Sequence, residues 1–146
     1  METLQLDLNK RYTFADYLTW MDDKRRELIN GFVKLMTPAP LDIHQELSTN
    51  FTWAIKNYLK DKKCKVRHAP YDVRFPENGE TENDKIETVV QPDLCIICDT
   101  SKIDRRGCLG APDFILEILS KGSAKHDAKT KYALYEKHGV KEYWIV

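Results

Sequence analysis

A chain of 146 residues with 42% hydrophobic and 10% aromatic side chains has the length and composition of one ordinary globular domain, read here as residues 1–146. Lys plus Arg equals Asp plus Glu at 23 each, so there is no long-range field to pull in nucleic acid or an anionic membrane, and any phosphate affinity has to be local. No apolar run reaches the roughly 20 residues of a membrane span, and Met1-Glu2-Thr3-Leu4 lacks the basic-then-apolar order of a secretion signal, which points to the cytoplasm.

In chain order, Thr13-Phe14-Ala15-Asp16 reads as a capping box opening a short helix to about Met21. Glu27 to Leu35 reads as a hairpin closed by Asn30-Gly31. Pro38 and Pro40 break the chain. Asp42 with Gln45 then caps a long helix whose Ile43, Leu47, Phe51, Ala54, Ile55 and Tyr58 form an apolar stripe for covering a sheet. A strand over Lys65–Phe75 and a polar surface loop over Glu77–Asp84 follow. Val89–Ile97 reads as a strand in which Pro92 implies a bulge or an edge position, and Phe114–Ser120 as a second, joined to it by a loop over Asp99–Gly110. A helix from about Ser123 to His138, capped by Gly139, leads into strand-like Glu142–Val146. The fold class is α/β (α+β mixed), a mixed β-sheet flanked by helices. Stopping inside an apolar strand suggests that the sequence is truncated at its C-terminal end.

The chemistry is concentrated in two acids. Glu117 shares a strand face with Ile115 and Leu119, where an ionised carboxylate is expensive unless paired, protonated or metal-bound. Asp93 is placed in the same way on the preceding strand. If the two strands pair, these carboxylates converge and can chelate a hard cation, with Mg²⁺ or Mn²⁺ the natural occupant. On the following helix Asp127, Lys131 and Tyr135 recur every four residues, so an acid, an amine and a phenol line one face. The competing reading for Asp127 and Lys131 is a surface ion pair. Basic stretches at Lys60–Arg67 and Lys121–Lys131 are the two candidate phosphate patches; the first reads rather as solvated helix ends and a turn, and the second directly follows the strand of Glu117. Cys95 and Cys98 have C-x-x-C spacing, and Cys64 with His68 would complete a zinc set. Strand-like Ile96-Ile97 sends the two sulfurs to opposite faces, which favours buried, reduced thiols.

Taken together, Pro92-Asp93, Ala111-Pro112-Asp113 leading into Glu117-Ile118-Leu119-Ser120, then Asp127, Lys131, Tyr135 and Gly139-Val140-Lys141-Glu142-Tyr143-Trp144 form a recognisable order, with Glu27-Leu28-Ile29-Asn30-Gly31 and His44 before them. From about Tyr12 to Val146 the chain resembles the bacterial Uma-type restriction endonucleases, a branch of the PD-(D/E)XK nuclease superfamily. That resemblance implies a restriction-endonuclease-like core and Mg²⁺-dependent (or Mn²⁺-dependent) hydrolysis of DNA phosphodiester bonds. It implies Asp93, Glu117 and Lys131 as catalytic residues, with the metal held by Asp93, Glu117 and the carbonyl of Ile118. Lys131 would orient the attacking water or neutralise charge on the phosphate. The superfamily's lysine slot, two residues after the glutamate, holds Leu119, and the family's helix lysine matches Lys131, with Lys125 and Lys129 less well placed. Glu27, His44, Ser120 and Asp127 are supporting candidates: His44 either serves the site or is a structural hydrogen-bonding residue at a helix end, Glu27 either supports the site or is an ordinary solvent-facing strand residue, and Ser120 either positions the metal site or ends the strand. Members resembling this chain continue past the Tyr-Trp strand, in line with truncation. Two-strand cleavage would be easiest for a homodimer. The alternative to an enzyme is a catalytically silent nuclease-fold module that binds nucleic acid or a protein.

Overall fold

The structure, a computed structural model, describes residues 4–36, 41–119 and 124–146, the side chains of residues 124–127 excepted. Pro38 and Pro40 lie outside the described residues.

Local chemistry sets the first elements. The Thr13 hydroxyl accepts from the Asp16 N–H and the Asp16 carboxylate accepts from the Thr13 N–H, the reciprocal pair of a capping box. The helix it starts, α1 (Phe14–Tyr17), is one turn long and does not reach Met21. Tyr17, Leu18 and Trp20 instead pack on the Tyr12, Phe14, Leu28, Ile86 and Val89 cluster, and this tertiary contact overrides helix continuation. Strands β1 (Arg26–Ile29) and β2 (Phe32–Leu35) pair as the expected hairpin. Its two turn residues have positive φ, 51° at Asn30 and 85° at Gly31, the pair a twisted two-residue turn requires.

Helix α2 (Asp42–Tyr58) starts from Leu41 without a side-chain cap, so Asp42 is the first helical residue rather than the cap. Its Leu47, Phe51, Ile55 and the following Leu59 form an i, i+4 row against Val66, Leu94, Leu116 and Ile118. Ala54 and Tyr58 lie one residue off that row, about 100° round the helix, and are exposed.

The strands divide between two sheets. The first has the order β2-β1-β5-β4-β8-β7, with β4 (Val73–Arg74), β5 (Val89–Val90), β7 (Ile103–Asp104) and β8 (Gly107–Leu109). The second has the order β10-β9-β6-β3, with β3 (Lys65–His68), β6 (Leu94–Ile97), β9 (Phe114–Glu117) and β10 (Glu142–Ile145). The run Lys65–Phe75 is therefore two strands parted at Pro70, and Val89–Ile97 two strands parted at Pro92, because proline cannot donate to a ladder. The span Asp99–Gly110 is a hairpin that extends the first sheet. A 3₁₀ turn at Asn83–Lys85 ends the polar loop ahead of fully buried Ile86.

Strand β6 runs antiparallel to β9, with Leu94 opposite Leu116, and β10 runs parallel to β9. Helix α2 covers one face of this sheet. Helix α3 (Ala124–His138) lies toward the other, its Leu134 and Tyr135 packed with Cys95, Ile97 and Ile115 and with Val73, Phe75, Val90 and Cys108 of the first sheet. Gly139 follows α3 at φ 84°, the left-handed residue of a helix end.

Cys95 and Cys108 are buried free thiols, as expected. Cys64 and Cys98 are not reduced but bonded to each other, Cα atoms 4.0 Å apart. Register explains the pairing: Lys65 faces Ile97, so Cys64 and Cys98 are the next opposed positions on β3 and β6. The zinc set does not assemble, since the Cys64 sulfur is used by Cys98 and Cys95 faces the core. No helix among the described residues is long and apolar enough to cross a membrane.

Candidate active site

Asp93 stands where the chain leaves the first sheet and enters the second. Because Leu94 pairs with Leu116, Asp93 comes beside the C-terminal end of β9, where Glu117 is the last strand residue. The Ile118 N–H, just beyond the ladder, donates to Asp93 Oδ2 at 2.7 Å, and His44 Nε2 from the first turn of α2 lies 3.3 Å from Asp93 Oδ1. In that turn His44 faces inward, while Ile43, expected in the apolar stripe, is exposed.

Helix α3 supplies the other wall. Lys131 and Tyr135 are one turn apart and both point at Glu117: the Tyr135 hydroxyl donates to Glu117 Oε1 at 2.8 Å, and Lys131 Nζ lies 3.6 Å from the same oxygen. Lys131 is only 6% exposed, and its closer partner is Glu27 Oε2 at 2.9 Å. Glu27, 3% exposed on β1, also accepts the Gln91 N–H at 2.7 Å. It is thus a buried counter-ion and not a solvent-facing strand residue. Gln91 is fixed in turn: its Nε2 donates to the Tyr17 hydroxyl at 2.8 Å and to Asp72 Oδ1 at 3.0 Å, and its Oε1 accepts from Arg25 Nε at 2.8 Å.

The electrostatics follow from burial and an excess of carboxylates. Burial pushes the Glu117 carboxyl up to about 7, with the Glu27 and Asp93 charges adding to the rise and Lys131 and the Tyr135 hydroxyl opposing it. Burial likewise raises the Asp93 carboxyl against the pull of the Ile118 N–H, His44 and Lys131. Burial disfavours the charge on Lys131, but Glu117 and Glu27 outweigh it and hold the ammonium above its ordinary range. Three acids share one lysine and one histidine, and a hard cation would relieve that imbalance.

Among the described residues, no three His, Cys, Asp or Glu side chains form a complete ligand set. The donors on offer are the Asp93 and Glu117 carboxylates with the backbone at Ile118. Two carboxylates, with remaining positions left to water and substrate phosphate, are what Mg²⁺ typically takes. Glu117 Oε2 has no protein partner among the described residues, since Oε1 takes the Tyr135 and Lys131 contacts.

The structure therefore brings together Asp93, Glu117, Ile118, Lys131, Glu27 and His44. Lys129 is exposed and turned away. Ser120 lies outside the described residues, as do the side chains of Asp127 and Lys125. Sequence reasoning missed three participants, Gln91, Tyr17 and Asp72. It placed Tyr135 on the correct helix face without giving it a partner.

A mixed α/β core with two acids on adjoining antiparallel strand ends and a helix lysine above them defines a restriction-endonuclease-like fold. The chain resembles the crystal structure of a putative nuclease belonging to DUF820 from Anabaena variabilis ATCC 29413, with a TM-score of 0.71 and 20% identity, over 92% of this chain and 73% of that one. At that identity the likeness is one of fold. Residues 14–146 match the family Uma2, described as "Putative restriction endonuclease", and the chain belongs to that family. None of the curated proteins matches the chain.

Proposed function

We propose that the chain is a metal-dependent endonuclease hydrolysing phosphodiester bonds of DNA, with Asp93, Glu117 and Lys131 as its catalytic groups. The observation that carries this reading is the convergence of two half-buried carboxylates on adjacent strand ends with a buried lysine held charged over one of them. Asp93, Glu117 and the Ile118 carbonyl would hold Mg²⁺ or Mn²⁺, which supplies a polarised phosphate and a water of lowered pKa when bound.

The remaining work falls to this chain's own side chains. Lys131, gripped by Glu27 at 2.9 Å, stays protonated and offers its other N–H groups to the attacking water or to charge developing on the phosphate. Tyr135 fixes Glu117 through Oε1 and leaves Oε2 available. The Ile118 N–H and His44 hold Asp93 in one orientation. No covalent intermediate is required. Cutting both strands would be easiest for a dimer with two sites, which sedimentation of the protein with and without duplex would detect.

The test is incubation of supercoiled plasmid with the protein in Mg²⁺, Mn²⁺ or EDTA, beside folded Glu117→Gln and a parallel RNA substrate. Metal-dependent nicking of DNA that disappears in the variant is expected. Equal nicking by the variant, or none by the folded parent, overturns the reading and favours the silent binding module.

A further inference from the structure

A cavity of about 410 Å³ is lined by Arg67, Asp72, Gln91, Asp104, Arg105 and Arg106 among others. We propose that it seats a phosphodiester of the nucleic-acid backbone that the protein holds but does not cut; this rests on the nuclease reading above.

Arg105 and Arg106 form the two-residue turn between β7 and β8, where Asp104 pairs with Gly107. Both are exposed, and neither enters an ion pair among the described residues. Arg67, half-buried on β3, gives one N–H to the Val66 carbonyl and keeps its charge unpaired among those residues. The two acids of the cavity are already engaged: Asp104 is 2.6 Å from Arg74 Nη2, and Asp72 accepts from Tyr17 and Gln91. Three guanidinium groups thus line a cavity whose two acids already have partners, in a chain of zero net charge, the local phosphate affinity that the overall charge cannot supply. Guanidinium forks match phosphate oxygens in geometry as well as charge.

The hairpin carrying the two arginines is held in place. A Cβ on Gly107, φ 130°, would lie 2.2 Å from the Asp72 carbonyl oxygen, so only glycine permits the approach. Across that gap the Cys108 N–H donates to the same oxygen at 3.0 Å, and the Gly110 N–H donates to the Arg74 carbonyl at 2.8 Å. The cavity adjoins the carboxylates through one residue. Gln91 lines it while its N–H binds Glu27, and Gln91 stands two residues before Asp93, at most about 7 Å of extended chain. Arg67 faces Cys95, two residues beyond Asp93. A backbone crossing Asp93 and Glu117 would bring a neighbouring phosphate to the arginines.

The probe is a fluorescein-labelled DNA duplex read by anisotropy in EDTA across a KCl series, with wild type, Arg105→Ala/Arg106→Ala, and Lys60→Ala/Lys63→Ala as a control of equal charge. The arginine variant should weaken binding about tenfold and lower the salt slope by about one, while the lysine control keeps the wild-type slope. Matching thermal unfolding confirms that the exposed turn folds in both. Wild-type binding by the arginine variant, equal losses in both variants, or no duplex binding by the wild type overturns the proposal. So does displacement of the duplex by millimolar inorganic phosphate, which marks a free-phosphate site. Because nothing is cut in EDTA, arginine-dependent binding by a protein that nicks no plasmid in Mg²⁺ sinks the nuclease reading and leaves this site standing. Nicking with arginine-independent binding does the reverse.

Discussion

Replacing Glu117 by glutamine should make the metal-free protein more stable at alkaline pH. Glu117 carries its proton up to about 7 in the folded state against an ordinary 4.5, because it is buried beside Glu27 and Asp93. The folded protein therefore binds that proton more tightly than the unfolded chain, so stability is full below about pH 4.5 and is lost as pH rises to about 7. The difference corresponds to an upper bound of about 3 kcal/mol. Glutamine keeps an acceptor for the Tyr135 hydroxyl, leaves Lys131 paired with Glu27, and has no charge to desolvate. Urea unfolding in EDTA should show parent and Glu117→Gln nearly coincident at pH 5 and the variant ahead by about 1–3 kcal/mol at pH 8. Mg²⁺ should then stabilise the parent at pH 8 by mass action and leave the variant unmoved. A variant less stable than the parent at pH 8 would refute the reasoning, because Glu117 would then be a structural counter-ion for Lys131.

Lys131→Met strands buried Glu27 and half-buried Glu117 without their cation and should cost about 3–5 kcal/mol at pH 8 in the same assay. Adding Glu27→Gln to it should restore part of the loss. Tyr135→Phe removes a 2.8 Å hydrogen bond to a half-buried carboxylate and should cost about 1–3 kcal/mol, with slower plasmid nicking by a protein of unchanged circular dichroism. Reducing the Cys64–Cys98 bond, which links positions 34 apart in sequence, should lower stability by at most about 4 kcal/mol. Dithiothreitol should shift the urea midpoint of the parent and not that of Cys64→Ser/Cys98→Ser.

Elements with their own local signals were legible: the Asn30-Gly31 hairpin, α2, α3 and the last strand lie where periodicity and turn chemistry put them. What periodicity could not reveal is which sheet a strand joins. An alternating or continuous apolar run says only that a segment is buried, so Val89–Ile97 read as one strand although Val89 and Val90 pair in one sheet and Leu94–Ile97 in the other. Strands β7 and β8 are two and three residues long, too short to carry any period, and were absorbed into a loop. The Cys64–Cys98 bond depends on the β3–β6 register, which spacing alone does not encode.

The acids were legible because a carboxylate inside an apolar strand is an energetic anomaly, and Lys131 and Tyr135 because they sit one helical turn apart. Glu27 meets Lys131 across 104 residues, and only the family resemblance brought it forward. Gln91 gave no signal at all, yet the sheet switch explains its part. Strand β5 ends at Val90 and β9 at Glu117, so the next amides, of Gln91 and Ile118, leave their ladders unpaired in a buried setting. Those two N–H groups are the ones that Glu27 and Asp93 accept, at 2.7 Å each. Ending the strands there thus satisfies two buried amides and anchors buried Glu27 and half-buried Asp93 in one step, and the proline at position 92 that breaks the strand is a cause of the site's geometry as well as a marker of it.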